Sequence, residues 1–222
     1  DNQPDGGAVI IFSYEMADQQ LALKMLCGES GVPMSIVRSG LIRSDEIERM
    51  QAKQYTLRGI ENLFICESSG FTVDQVRAEC RRIKNKRGLQ MIAVDYIQLV
   101  APYRAARSAH NESRQQQVGA ISRGLKSLAI EFDIPVVALA QVNRLVEQRK
   151  DKTPSLADLR ESGDLEQDAD LVMFLSRPEQ YDETDRPGET DLIIAKHRNG
   201  PLGTITFRFD AALGRFEEAS SR

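Results

Sequence analysis

The chain has 222 residues, of which 41% are hydrophobic and 28% charged, with a formal net charge of −4. That length gives room for one large domain with an ample core, and that composition excludes disordered and collagen-like chains. The acidic balance argues against a general nucleic-acid binder, whose domain pI typically exceeds about 9, yet leaves room for a few focused cations on loops.

Residues 1–7 are turn formers and read as a loop, after which "AVIIFS" (8–13) predicts a strand buried on both faces. A helix is expected over 17–29, and a second from an N-cap at Ser44, with Asp45 and Glu46 in its positive first turn. "NLFICE" (62–67) reads as the next strand. Thr72 and Gln75 then have the spacing of a capping box, opening a helix that stops at Gly88. "LQMIAVDYIQLV" (89–100) contains another strand, residues 101–111 read as a loop, and Val118, Ile121, Leu125, Leu128 and Phe132 mark an amphipathic helix over 112–132. Residues 135–141 and 170–176 read as strands. "DLIIAKHRNGPLGTITF" (191–207) reads as a strand pair around an Asn199-Gly200 turn of the kind that takes positive φ.

Strands alternating with helices imply an α/β fold: a mostly parallel sheet flanked by helices, with a C-terminal antiparallel extension. No repeat or linker divides the chain, so one domain over 1–222 is expected. No apolar run reaches the ~18 residues of a membrane span, so no membrane partner is expected. Cys27, Cys66 and Cys80 form no C-x-x-C pair and read as buried apolar residues in a reducing cytoplasm.

Ligands of open parallel sheets bind beyond the carboxyl ends of the strands. Three predicted strands end there in polar residues: Glu15, Asp95 and Gln141. A carboxylate after an apolar run suits a hydrated Mg²⁺ on a nucleotide phosphate. Each also has a plainer role: Glu15 and Asp95 as helix caps, Gln141 as a loop amide. Lys196 and Arg198 leave an extended strand on one face with no acid next to them in sequence. They are either two solvated cations or a pair aimed at an anion from elsewhere.

"FSYEM", "VDYIQL", "QVNR…EQR", "RESGDLEQDADLVMF" and "KHRNGPLGT" resemble, in order and spacing, the RecA-like ATPase domain of DnaB-type replicative helicases, over residues 8–216. The last two motifs are the most specific to that family. The resemblance implies an ATP-hydrolysing homo-hexamer that moves on single-stranded DNA, with primase and a helicase loader as further partners. It implies Glu15 as the residue activating the attacking water, Asp95 as the Mg²⁺-side acid and Gln141 as the γ-phosphate sensor. It further implies that Lys196 and Arg198 are cations inserted into a neighbouring subunit's ATP site. Arg144, Arg160, Glu161 and Gly163 fall where that family contacts the DNA backbone. Lys24 stands where the family usually has Arg, a point charge in place of a donor fork. Arg104, Arg107 and Arg114 are further channel-facing candidates, equally readable as solvated loop residues.

The sequence has no G-x-x-x-x-G-K-[ST], so the strand, loop and helix that hold the β- and γ-phosphates are expected upstream of residue 1. The competing expectation is a DNA-binding or ring-assembly module that has lost its nucleotide site.

Overall fold

The computed structural model describes residues 6–102, 113–162 and 164–219, without the side chains of 160–162. The chain divides into two compact units. The first comprises residues 1–18, 62–152 and 156–169, and the second 19–61, 153–155 and 170–222.

The first unit is built on strands β1 (Ala8–Ser13), β2 (Leu63–Glu67), β3 (Leu89–Asp95) and β4 (Val136–Ala138). They form one parallel sheet in the order β2-β1-β3-β4. Ile10 and Phe12 are fully buried with Ile92 and Val94 of β3, against Val76 and Cys80 of one helix and Leu125 and Leu128 of another. Val9 and Ile11, on the alternate face of β1, are only half-buried. Burial is therefore one-sided where the sequence pattern predicts two, because the helices of this unit bring their apolar stripes to one face.

Those helices are α4 (Val73–Arg87) and α5 (Arg114–Phe132). The Thr72–Gln75 capping box forms as predicted, and Gly88 closes α4 at φ 73°. Ser113 and Gln116 form an equivalent box on α5, so its start falls two residues later than predicted. Of the loop predicted over 101–111, residues 103–111 lie outside the described residues.

In the second unit lie α1 (Asp18–Ser30, whose first residue belongs to the first unit), α2 (Met34–Ser39) and α3 (Ser44–Arg58). Ser44 proves to be the first helical residue of α3, not its cap. The capping position is Arg43, whose backbone N–H donates to Glu46 Oε2 at 2.9 Å. β5 (Leu171–Ser176), β6 (Glu189–His197), β7 (Gly203–Asp210) and β8 (Arg215–Glu218) make an antiparallel sheet in chain order. The strand predicted over 170–176 thus belongs to the antiparallel sheet, where β5 pairs with β6.

The predicted tight turn does not form. Neither Asn199 nor Gly200 has a positive φ, and the last rung between β6 and β7 is Ile194–Gly203. A Cβ at 200 would lie 2.2 Å from Cε1 of the His197 ring, so the exposed ring would have to swing aside to admit one. Among the described residues, no helix is long and apolar enough to cross a membrane.

Candidate nucleotide site

β1 connects onward to β2 on one side, and β3 to β4 on the other, so the sheet reverses direction between β1 and β3. A crevice opens at such a reversal, beyond the carboxyl ends of the two strands. Ser13 pairs there with Asp95, and the Tyr14 N–H donates to the Asp95 carbonyl at 2.8 Å. The buried Ser13 hydroxyl then folds the chain over. Its Oγ donates to the Met16 carbonyl at 2.6 Å and accepts from the Met16 N–H at 3.3 Å. Glu15 stands exposed in this tied turn, between β1 and α1. It is not a residue of α1, whose first-turn acid is Asp18.

Gln141 follows β4 on the far side of β3, with its side chain exposed. The ladder continues one residue past β4, the Leu139 N–H donating to Val94 O at 2.9 Å. Beyond it, the side chain of Gln98 takes over. Gln98 Nε2 donates to the Gln141 carbonyl at 3.0 Å, and the Gln141 N–H donates to Gln98 Oε1 at 3.3 Å. Arg114, the first residue of α5, donates in turn to the Gln98 backbone carbonyl. The motif "VDYIQL" contains Gln98, yet nothing in its spacing reveals that its partner is a main chain 43 residues on.

Arg144 opens a short 3-10 helix, Arg144–Gln148, and is exposed. The Asn143 side chain caps it by accepting from the Leu145 N–H at 2.9 Å. Arg149, next to that helix, pairs at 2.8 Å with Asp158, whose side chain is 9% exposed. Arg160 and Glu161 fall in the 3-10 segment Leu156–Ser162, with side chains outside the described residues. Gly163 lies outside the described residues, as do Arg104 and Arg107.

Two of the acids after Gly163 are tied to α5. Asp164 Oδ2 takes Arg123 Nη1 at 2.5 Å, and Asp168 Oδ2 accepts from the buried Ser122 Oγ at 2.6 Å. Both partners lie on α5, so α6 (Leu165–Asp168) is stapled to that helix at each end. The staple packs beside the Leu156–Ser162 segment.

The second unit holds Lys24, Lys196 and Arg198. Lys24 is exposed on α1, and Lys196 is half-buried one residue from the end of β6. Arg198 departs from the expectation that its own chain offers no acid. Its Nη1 lies 2.9 Å from Asp170 Oδ1, and its backbone N–H donates to the Asp170 carbonyl at 2.8 Å. The acid is remote in sequence and arrives through the pairing of β5 with β6. The side chains are 55% and 53% exposed, so the ion pair is worth about 0–1 kcal/mol.

The DnaB-like helicase C terminal domain matches residues 2–218 of this chain. The chain belongs to that family. Among DnaB-like relatives, the replicative DNA helicase DnaC of Bacillus subtilis is 42% identical over 216 residues, covering 97% of this chain and 46% of the relative. The replicative DNA helicase DnaB of Mycobacterium leprae is 43% identical over 210 residues, covering 94% and 34% respectively. This chain thus spans half or less of the length of these DnaB-like relatives. Among solved structures, the "ATPase Domain of G40P" superposes with a TM-score of 0.89 at 34% identity, over 96% of this chain and 75% of that one. A DnaB-like replicative helicase studied with "Its Interactions With Primase" gives the same TM-score and identity, over 96% and 51%. A helicase-type ATPase fold is thereby established for a chain whose parallel sheet and antiparallel strands the sequence had already outlined.

Proposed function

We propose that this chain is the ATPase motor of a replicative DNA helicase, a homo-hexameric ring that hydrolyses ATP while moving along single-stranded DNA. The observation that carries the reading is the Ser13–Asp95 rung at the strand-order reversal. It ties the chain just before Glu15 to Asp95 at the strand ends, where ligands of such sheets bind, and Gln141 follows the next strand.

A hydrated Mg²⁺ keeps several waters and takes only one or two carboxylates, so a strand-end acid such as Asp95 suits an ion carried on nucleotide phosphates. When bound, that ion neutralises charge on the transferring phosphoryl group. Glu15, held at the apex of its tied turn, orients the attacking water and accepts its proton. The Gln141 amide donates to the γ-phosphate. Lys24 contributes a point charge towards nucleotide. Lys196 and Arg198 act on the nucleotide of the next subunit, Arg198 exchanging Asp170 for phosphate. Arg144, Arg160, Glu161 and Gly163 contact the DNA backbone, and primase and a helicase loader bind the assembled ring in the cytoplasm.

Both units belong to one motor domain, completed by a phosphate-holding strand, loop and helix upstream. Support comes from β4 and β5, each the end strand of its sheet. Val137 on β4 and Leu139 just past it, and Leu171, Met173 and Leu175 on β5, are exposed apolar side chains. Uncovered apolar residues on edge strands are the pattern left where further chain is to pack.

The test is Glu15→Gln in the longer protein carrying the upstream segment. DNA-stimulated ATP hydrolysis should fall by at least about 10²-fold with nucleotide binding retained. Undiminished turnover would remove Glu15 from water activation.

A further inference from the structure

We infer that Gln98 is a positioning residue for hydrolysis, acting through Gln141; the inference rests on reading Gln141 as the γ-phosphate sensor. Past Leu139 the β ladder has ended, and Gln141 occupies irregular chain between β4 and the 3-10 helix that starts at Arg144. A sensor needs its side chain free and its backbone held. The Gln98 amide supplies this, occupying both the N–H and the carbonyl of Gln141 at 3.3 and 3.0 Å. A primary amide offers a donor and an acceptor side by side on one flat group, as this two-point contact needs.

Gln98 is itself well anchored. It lies in a 3-10 turn, Ile97–Leu99, whose Ile97 is 1% exposed and donates through its N–H to the Leu139 carbonyl at 2.9 Å. Arg114 holds its carbonyl from α5. Asp95 ends β3 just before this turn, so the Mg²⁺-side acid and the sensor's clamp share one short rigid stretch. A displacement of about 1 Å in a catalytic group costs on the order of 10²-fold in rate, so loss of this clamp should be felt in turnover.

The experiment compares Gln98→Met, which keeps length and volume but neither hydrogen bond, with wild type. In the longer ring-forming protein, hydrogen exchange at the Gln141 amide should quicken by about tenfold or more, with the melting temperature within about 2 °C. In the longer ring-forming protein, kcat for DNA-stimulated hydrolysis should fall by about tenfold or more while KM for ATP stays within about twofold. In a Gln141→Ala background the same substitution should have no further effect. Wild-type kcat in Gln98→Met, unchanged exchange at Gln141, or an undiminished effect in the Gln141→Ala background would each overturn the inference. Full activity of Gln141→Ala itself would instead sink the sensor reading, and the inference with it.

Discussion

Arg198 carries its charge half in water, with Asp170 beside it, and an exposed pair of this kind neither fixes the fold nor locks the side chain. Cys80 is the opposite case. It is 0% exposed, and burial pushes its thiol up to about 12. The unfolded thiol ionises from its ordinary value near 9 while the folded one stays neutral, so the unfolded state gains by losing a proton first. Stability should therefore be intact below pH 9 and decline between pH 9 and 12. The slope from one such group is at most about 1.4 kcal/mol per pH unit. Tyr14, whose buried hydroxyl is likewise pushed up, adds to the decline. Urea unfolding of wild type and Cys80→Ala across this range checks it. The variant should start less stable and fall less steeply; parallel slopes would mean that Cys80 ionises as freely folded as unfolded.

Elements whose ends are written in local chemistry appear where the sequence predicts them. The Thr72–Gln75 box is an example, because its donors and acceptors lie within one turn of chain. The 194–203 connection fails that test. Asn-Gly is a strong local turn signal, yet neither residue takes positive φ there, and the exposed His197 ring lies over Gly200. Because that ring is exposed and can swing aside, Gly200→Ala should cost no more than about 0.5 kcal/mol, and that through the ring rather than through backbone strain. Urea midpoints for Gly200→Ala, His197→Ala and the double variant test this. Adding Gly200→Ala should cost almost nothing once His197 is Ala. An equal cost in both backgrounds would return the effect to the backbone.

At the scale of the whole molecule, the proposed reaction centre is divided. Glu15, Asp95 and Gln141 belong to the first unit; Lys196 and Arg198 belong to the second and are proposed to serve a neighbouring subunit. Arg198→Ala and Asp95→Ala, each expected to be inactive as a uniform ring in the longer protein, should regain part of the wild-type turnover when mixed. In some interfaces of mixed rings, an intact Arg198 then faces an intact Asp95. Turnover measured across mixing ratios reads this directly. No recovery at any ratio would place the cations and the acid in the same subunit's site.

The sequence by itself determined the parallel strands, the capping box on α4 and most helix spans, because apolar period and short-range hydrogen bonding act between residues close along the chain. It also presented Glu15, Asp95 and Gln141 as strand-end groups, since an apolar run that stops in a polar residue is a local pattern. Only the tertiary structure decided that β5 joins the antiparallel sheet, that Asp170 meets Arg198, that Asp164 and Asp168 are stapled to α5, and that Gln98 clamps Gln141. Each of those depends on which strand or helix becomes a neighbour in space. That choice is made by burial of whole faces, and no short window of residues encodes it.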